Sequence, residues 1–103
     1  MGYCIVLTTT AAQEEADKIA AVLLENRLAA CVQISPVTSV YRWKGKVERD
    51  NELRLVIKTT DELYPKVEKL IKENHSYEVP QIVKTPITGG LPEYLDWISG
   101  ETG

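Results

Sequence analysis

A long hairpin spanning residues 28–60 is the feature that most constrains the fold of this chain. Its two apolar arms enclose residues 39–47, where β-branched and aromatic residues surround a Lys-Gly turn at Lys44. Each arm, if extended, reaches roughly 40 Å at about 3.3 Å per residue. A domain of about 100 residues has a radius of gyration of only ~13 Å. The tip, with Tyr41 and Trp43, therefore projects beyond its own core or folds back over it. Because a projecting ribbon exposes strand edges, we expect another copy of the chain to cover it.

Length and composition indicate one globular domain, residues 1–103. The net charge of −3 argues against a nucleic-acid binder, which is usually basic. No apolar run approaches the ~20 residues of a membrane span, and the chain starts with strand-like residues and no basic leader. We therefore expect a cytoplasmic protein without a nucleic-acid or membrane partner. Two cysteines, Cys4 and Cys31, are too few for a disulfide framework and form no CxxC pair.

Strand and helix patterns alternate on either side of the hairpin. Residues 3–9 read as an apolar strand, and residues 16–24 carry apolar side chains at helical spacing. A second helix holds Pro65 in its first turn, a fourth strand covers residues 81–87, and a short helix follows Leu91. The order β-α-β-β-α-β plus a short helix predicts an α+β, ferredoxin-like antiparallel sheet with both larger helices on one face. Strands one and three then lie in the centre.

Several local features are also predicted. Capping boxes are expected to start the two larger helices, with Thr10 and Thr59 as the capping residues. Asn74 is expected as a left-handed helix end, and Pro36 as the site of a bulge or bend on an edge strand. The last three residues are expected to fray.

Five segments in order along the chain resemble the CutA (divalent-ion tolerance) proteins. They are Arg27-Leu28-Ala29-Ala30-Cys31-Val32, Ser39-Val40-Tyr41-Arg42-Trp43-Lys44-Gly45-Lys46, Ile57-Lys58-Thr59, His75-Ser76-Tyr77-Glu78-Val79-Pro80-Gln81-Ile82 and Tyr94-Leu95-Asp96-Trp97. The resemblance implies a ferredoxin-like subunit in a stable cytoplasmic homotrimer, with long hairpins pairing between neighbours. It also implies a role in tolerance of copper and other divalent metals, and no established catalytic activity.

Copper binding in that family is tied to a cysteine late in the first strand and to histidines before the fourth strand. The matching first-strand position here is Thr8, and His75 is preceded by Asn74. Gln81 stands where the family has a glutamate. The sequence thus keeps only part of the family's metal-binding pattern.

Three residues are candidate ligands for a divalent metal, with copper the first choice: His75, Cys31 and Glu78. Imidazole and thiolate suit copper, and a carboxylate can add a harder oxygen ligand. Each has a plainer alternative. His75 can interact with the end of the preceding helix, and Cys31 can be a small buried hydrophobic residue.

A cleft where subunits meet is expected to collect aromatic and charged residues. These are Tyr41, Trp43, Tyr77, Tyr94 and Trp97, together with Glu52, Lys58 and Glu78. The aromatic residues can equally be ordinary interface packing, and the charged ones a solvated ion pair between subunits.

The resemblance implies two functions, and a purely structural trimer is a further alternative that no residue excludes. The first is a trimeric copper or divalent-metal tolerance protein without an organic cofactor. The second is a module similar to the PII signalling trimers, binding a small effector between subunits. An enzyme is not expected, because one histidine and no paired carboxylates or cofactor motif assemble no catalytic set.

Overall fold

A single four-stranded sheet organises residues 2–103, the part of the chain that the computed structural model describes. The strands are β1 (Tyr3–Thr10), β2 (Cys31–Trp43), β3 (Lys46–Thr60) and β4 (Ile82–Ile87), and the helices are α1 (Gln13–Glu25), α2 (Tyr64–Glu73) and α3 (Pro92–Glu101). The strands are antiparallel in the order β2-β3-β1-β4, so β1 and β3 are central. The predicted α+β, ferredoxin-like fold with a long hairpin is confirmed.

The core lies between α1, α2 and one face of the sheet, which we call the helix face. Alternate residues of β1 and β3, such as Val6 and Ile57, point to this face and are buried. They pack with Ile19 and Leu23 of α1 and with Ile71 of α2. Core-facing side chains recur at every second residue in the strands and at every third or fourth residue in the helices, so the two sets pack against each other. Burial of these apolar side chains is the main source of the domain's stability.

The hairpin pairs without interruption from Cys31 opposite Lys58 to Trp43 opposite Lys46. The bulge predicted at Pro36 is wrong, because Pro36 pairs in register with Leu53. An edge strand tolerates a proline where the missing N–H faces outward, and β2 is the edge strand.

The turn at the tip is made by Lys44 and Gly45, which both have positive φ, 51° and 80°. Two consecutive positive φ values are typical of the tight hairpin turn whose twist matches the flanking strands. The predicted Lys-Gly turn is confirmed.

Helix ends differ from the sequence predictions. Neither larger helix has a side-chain cap at its start. Thr10 belongs to β1 and its hydroxyl donates to the Ala12 carbonyl, whereas Thr59 belongs to β3 and donates to the Leu28 carbonyl at 2.6 Å. Both threonines are therefore already used by the strands that precede the helices. Asn74 has φ −109°, so it is not left-handed, and its amide donates to the Leu70 carbonyl.

The C-terminal residues are anchored, so the prediction that they fray is wrong. Arg27, which has a left-handed φ of 55°, donates from Nε to the Gly103 carbonyl and from Nη2 to the Gly100 carbonyl, both at 3.0 Å. The Gly103 N–H returns a bond to the Arg27 carbonyl. This exchange ties the end of α3 to the α1–β2 connection.

The face of the sheet opposite α1 and α2, which we call the open face, is only partly covered. α3 packs against β3 there, and the Tyr3 hydroxyl lies 2.6 Å from the Ser99 hydroxyl. The loop of residues 75–81 reaches the other end, where it and the hairpin line a pocket beside Thr9. No helix within residues 2–103 is both long and apolar enough to span a bilayer.

Candidate functional site

A pocket of about 440 Å³ lies at the hairpin end of the open face. Strands β1, β2 and β3 and the 75–81 loop each contribute side chains to its walls. The lining residues are Thr9, Ser39, Tyr41, Trp43, Glu52, Tyr77, Glu78, Val79 and Gln81. Five residues that the sequence predicted for a cleft are thus brought together within one chain: Tyr41, Trp43, Glu52, Tyr77 and Glu78.

Glu52 is the most buried charged residue of the pocket, with 8% of its surface exposed. The Tyr77 hydroxyl donates to its Oε2 at 2.6 Å. Burial, the hydrogen bond to Glu52 and the Glu52 charge raise the pKa of Tyr77, in that order. Tyr77 is therefore a neutral donor at physiological pH, and it holds the carboxylate of Glu52 in place against the 75–81 loop.

His75 fixes the start of that loop. Its side chain is fully buried, and its Nε2 lies 2.6 Å from the Thr9 carbonyl, which can only accept. Nε2 therefore carries a proton. The Tyr77 N–H donates to Nδ1 at 3.1 Å, so Nδ1 offers a lone pair and the ring is neutral. Both ring nitrogens are engaged in holding the loop to β1.

Glu15 of α1 fixes the same loop from the other side. Its carboxylate accepts bonds from the Ser76 N–H and from the Ser76 hydroxyl, the latter at 3.0 Å. The carboxylate is therefore engaged by the loop and is not free on a solvated helix face. Its Oε1 lies 3.7 Å from Nδ1 of His75.

The two exposed aromatic residues of the hairpin tip form the outer wall. The Tyr41 hydroxyl donates to Asp50 across the hairpin. The hydrogen bond to Asp50, burial, and the charges of Asp50, Glu52 and Glu48 raise the pKa of Tyr41 to about 12. Lys44 lies 5.8 Å from the Trp43 ring centroid, at the hairpin turn, and is not part of the pocket wall.

The remaining predicted cleft residues lie elsewhere in the single chain. Lys58 pairs opposite Cys31 and donates to Gln33 at the other end of the β2–β3 ladder. Glu52 and Lys58 are six residues apart on β3, about 20 Å at 3.3 Å per residue. Tyr94 and Trp97 contact each other on α3, with ring centroids 5.5 Å apart.

The three predicted metal ligands do not converge. Cys31 lies at the far end of the ladder, Glu78 lines the pocket, and both nitrogens of His75 are already bonded. Among residues 2–103, no group of three or more His, Cys, Asp or Glu side chains is arranged to hold a metal ion. The residues of one chain therefore do not fit a resident copper centre of imidazole and thiolate donors.

Four pocket residues were not predicted as site residues from the sequence: Thr9, Ser39, Val79 and Gln81. Thr9 and Ser39 lie on the open face because they alternate with helix-face residues of their strands. The alternation that places these two residues on the open face can be read from the sequence. It does not identify them as pocket residues unless the path of the 75–81 loop across this end of the sheet is known.

Known proteins match this chain over nearly its whole length. The profile described as CutA1 divalent ion tolerance protein matches residues 4–101. The divalent-cation tolerance protein CutA of Thermus thermophilus is 50% identical over 100 residues, covering 96% of this chain and 97% of the relative. The chain belongs to the CutA1 divalent ion tolerance protein family. The family's name refers to divalent-ion tolerance.

Solved structures of CutA1 proteins share the fold. The Thermus thermophilus protein superposes with a TM-score of 0.95 at 49% identity, covering 98% of this chain and 99% of that one. The Archaeoglobus fulgidus protein, described as periplasmic, gives 0.94 at 41% identity, covering 96% and 97%. The chloroplastic CutA of Arabidopsis thaliana is 40% identical over 95% of this chain, which spans 54% of that relative's length.

We expect Tyr77→Phe to lower the free energy of unfolding at pH 7 by about 1.5 to 3 kcal/mol, the usual value of a hydrogen bond to a charged group. The folded pKa of Tyr77 is raised above its unfolded value of about 10. The contribution of the neutral phenol is therefore fully present below pH 10 and is lost as the pH rises above it. The gap between wild type and Tyr77→Phe should narrow above pH 10 in urea unfolding at equal protein concentration.

Tyr94→Phe is the matched control, because within residues 2–103 the Tyr94 hydroxyl has no carboxylate partner. It should change the unfolding free energy at pH 7 much less. Equal stabilities for wild type and Tyr77→Phe at pH 7 would remove Tyr77 as the residue that positions Glu52.

Proposed function

We propose that this protein acts in divalent-cation tolerance as a cytoplasmic homotrimer, with the pocket beneath the hairpin as its working site. The observation that carries the proposal is the hairpin tip, which lies beyond the core and exposes large apolar side chains on both faces. Val40 and Val47, on the helix-face side of the hairpin, are 58% and 65% exposed, and Tyr41 and Trp43 project from the other side. Large exposed apolar patches of this kind mark interaction sites.

The shape of the chain supports the same proposal. Its principal extents are 44 × 26 × 21 Å, so the hairpin makes it elongated. The outer edge of β2 has no strand partner within residues 2–103. Thirteen residues of free edge are a template for pairing with another copy.

A second exposed apolar patch lies on α3 and the residues before it, at Leu91, Tyr94 and Trp97. A contact between the tip of one copy and the α3 patch of the next joins two different surfaces. Such head-to-tail contacts form a ring where the rotation between copies closes, and three is the ring size that the resemblance to CutA proteins implies. The assembly would bring Tyr94 and Trp97 towards a neighbour's pocket, as predicted for an inter-subunit cleft.

Divalent ions, copper included, are proposed to bind weakly through pocket oxygens. Glu52 and Glu78 line the same cavity, and carboxylates are common ligands of divalent cations. His75 and Cys31 are not proposed as ligands, because neither side chain lines the pocket. His75 holds the 75–81 loop, and Cys31 is part of the β2–β3 ladder. The proposal therefore retains binding of a divalent metal, but the ligands are carboxylate oxygens instead of imidazole and thiolate groups.

The proposed compartment is supported by the thiols. Both cysteines are free, as expected where disulfides are kept reduced. Burial and the neighbouring Asp61 raise the pKa of the Cys4 thiol to about 11, so Cys4 is an inert core residue. Fractionation of the source cells with an antibody to the protein tests the cytoplasmic assignment.

A second function, effector binding of the PII-like kind, is favoured by the size of the pocket. About 440 Å³ is within the range of small-molecule sites and far exceeds the volume of a single ion. The two functions are compatible, because one cavity can hold an ion or an organic effector at different times.

The first test is the mass in solution. Size-exclusion chromatography with light scattering should give about three times the 11.6 kDa of one chain at micromolar concentration. Val40→Glu should shift the protein towards the monomer, because it places a charge in the proposed contact. Lys18→Glu, at an exposed position of α1 away from the hairpin tip and α3, is the control and should remain a trimer. A wild-type monomer would refute the assembly.

The second test is copper titration by calorimetry. Wild type should bind Cu²⁺ weakly, and Glu78→Gln should weaken binding by about tenfold, since the charge of the ligands sets the affinity of oxygen-donor sites. Cys31→Ser should bind as wild type does. Loss of binding in Cys31→Ser, or copper-dependent broadening of NMR signals confined to the single histidine, His75, would restore the imidazole and thiolate ligand set.

A further inference from the structure

Glu52 is a nearly buried carboxylate without a cationic partner. Only 8% of its surface is exposed, and within residues 2–103 no lysine, arginine or histidine forms an ion pair with it. Its one hydrogen-bond donor in that range is the neutral hydroxyl of Tyr77. Buried charges in proteins are normally paired, because desolvation of an unpaired charge is costly. A cation from outside the chain would supply the missing counter-charge.

The pocket around Glu52 is suited to a cation. A second carboxylate, Glu78, lines it, and no lysine or arginine does. The charges that act on the Tyr41 hydroxyl, those of Asp50, Glu52 and Glu48, are all negative. An anion such as a nucleotide phosphate would meet only like charge here.

The walls of the pocket favour an organic cation over a bare metal ion. Tyr41 and Trp43 present aromatic rings that are 40% and 42% exposed, and Val79 adds an apolar surface. Aromatic faces attract ammonium and guanidinium groups, and they also pack against an alkyl chain. A metal ion would leave these rings unused and most of the 440 Å³ unfilled.

We propose that the pocket binds a small organic cation, with an alkylammonium or guanidinium group against Glu52 and its carbon chain between the aromatic rings and Val79. The same pocket is the working site of the proposed function, on which this inference rests. Glu52 supplies a charge-assisted hydrogen bond at the base. Glu78, at the exposed side of the same cavity, provides a second negative charge, so a dication is favoured over a monocation.

A lysine or arginine side chain from a second copy has the same chemistry as a free amine. We assign the pocket to a free small molecule because the cavity holds more than one side-chain head group and has two carboxylates, not one, to neutralise. Direct titration of the purified oligomer separates the two sources. A neighbour's side chain seated on Glu52 would block added amines.

The test is calorimetric titration of the full-length protein with 1,4-diaminobutane and with agmatine. Butane-1,4-diol and succinate are the neutral and anionic matched probes. The two cations should bind, the diol should bind at least about tenfold more weakly, and succinate should not bind. Glu52→Gln keeps an acceptor for Tyr77 and removes the charge, so it should weaken diamine binding by about ten- to a hundredfold, as expected for loss of a charge-assisted hydrogen bond.

Trp43→Leu should also weaken binding, since it removes an aromatic wall and keeps an apolar one. Glu93→Gln, in the first turn of α3 and outside the pocket lining, is the matched charge control and should bind as wild type does. Thermal melts of each variant confirm that it is folded.

Three results would overturn the proposal: no binding of either amine at millimolar concentration, equal binding of the diamine and the diol, or unchanged binding in Glu52→Gln. Light scattering on the same samples reports the oligomeric state independently. A monomer that binds diamines with loss in Glu52→Gln would therefore refute the trimer and leave the cation pocket intact, whereas a trimer that binds no amine would do the reverse.

Discussion

The unbroken pairing of β2 with β3 is the constraint on which the rest of this structure depends. Thirteen consecutive residue pairs, from Cys31–Lys58 to Trp43–Lys46, keep one register without a bulge. Because side chains alternate with a period of two, this register decides that Tyr41 and Glu52 share the open face while Val40 and Ile57 point the other way. A slip of one residue would empty the pocket and expose the core. The register also carries the ribbon beyond the core, so the same ladder that builds the site creates the exposed surface to which we assign the contact with a second copy.

The short loop before β4 converts this ladder into a site. His75 and Glu15 hold the loop on two sides, and Tyr77 reaches from it to Glu52. The single histidine serves here as a neutral hydrogen-bonding bridge, with both ring nitrogens used. This arrangement places two carboxylates, Glu52 and Glu78, in one pocket with the aromatic rings of the hairpin tip.

The sequence predicted the fold well because the fold depends on periodicity. The apolar strand of β1, the helical spacing of α1 and the Lys-Gly turn at Lys44 all formed as expected. The wrong predictions concern residues whose side chains form a different hydrogen bond from the one expected. Thr10 and Thr59 belong to strands and donate to backbone carbonyls instead of capping helices, and Arg27 holds the C-terminal residues through the Gly103 carbonyl. The site was half predictable. Aromatic residues and Glu52 were recognised from composition and position, but the engagement of His75 with the Thr9 carbonyl joins residues 66 positions apart, which no spacing in the sequence reveals.

Amide hydrogen exchange along the outer edge of β2 tests the central claim most directly. If ribbons from different copies pair, the outward-facing N–H groups of residues 31–43 should be protected, and their exchange should accelerate on dilution as the assembly dissociates. If those amides exchange as fast as the exposed loops at every protein concentration, the ribbon stands alone in solution. The account of a shared, completed site would then be contradicted.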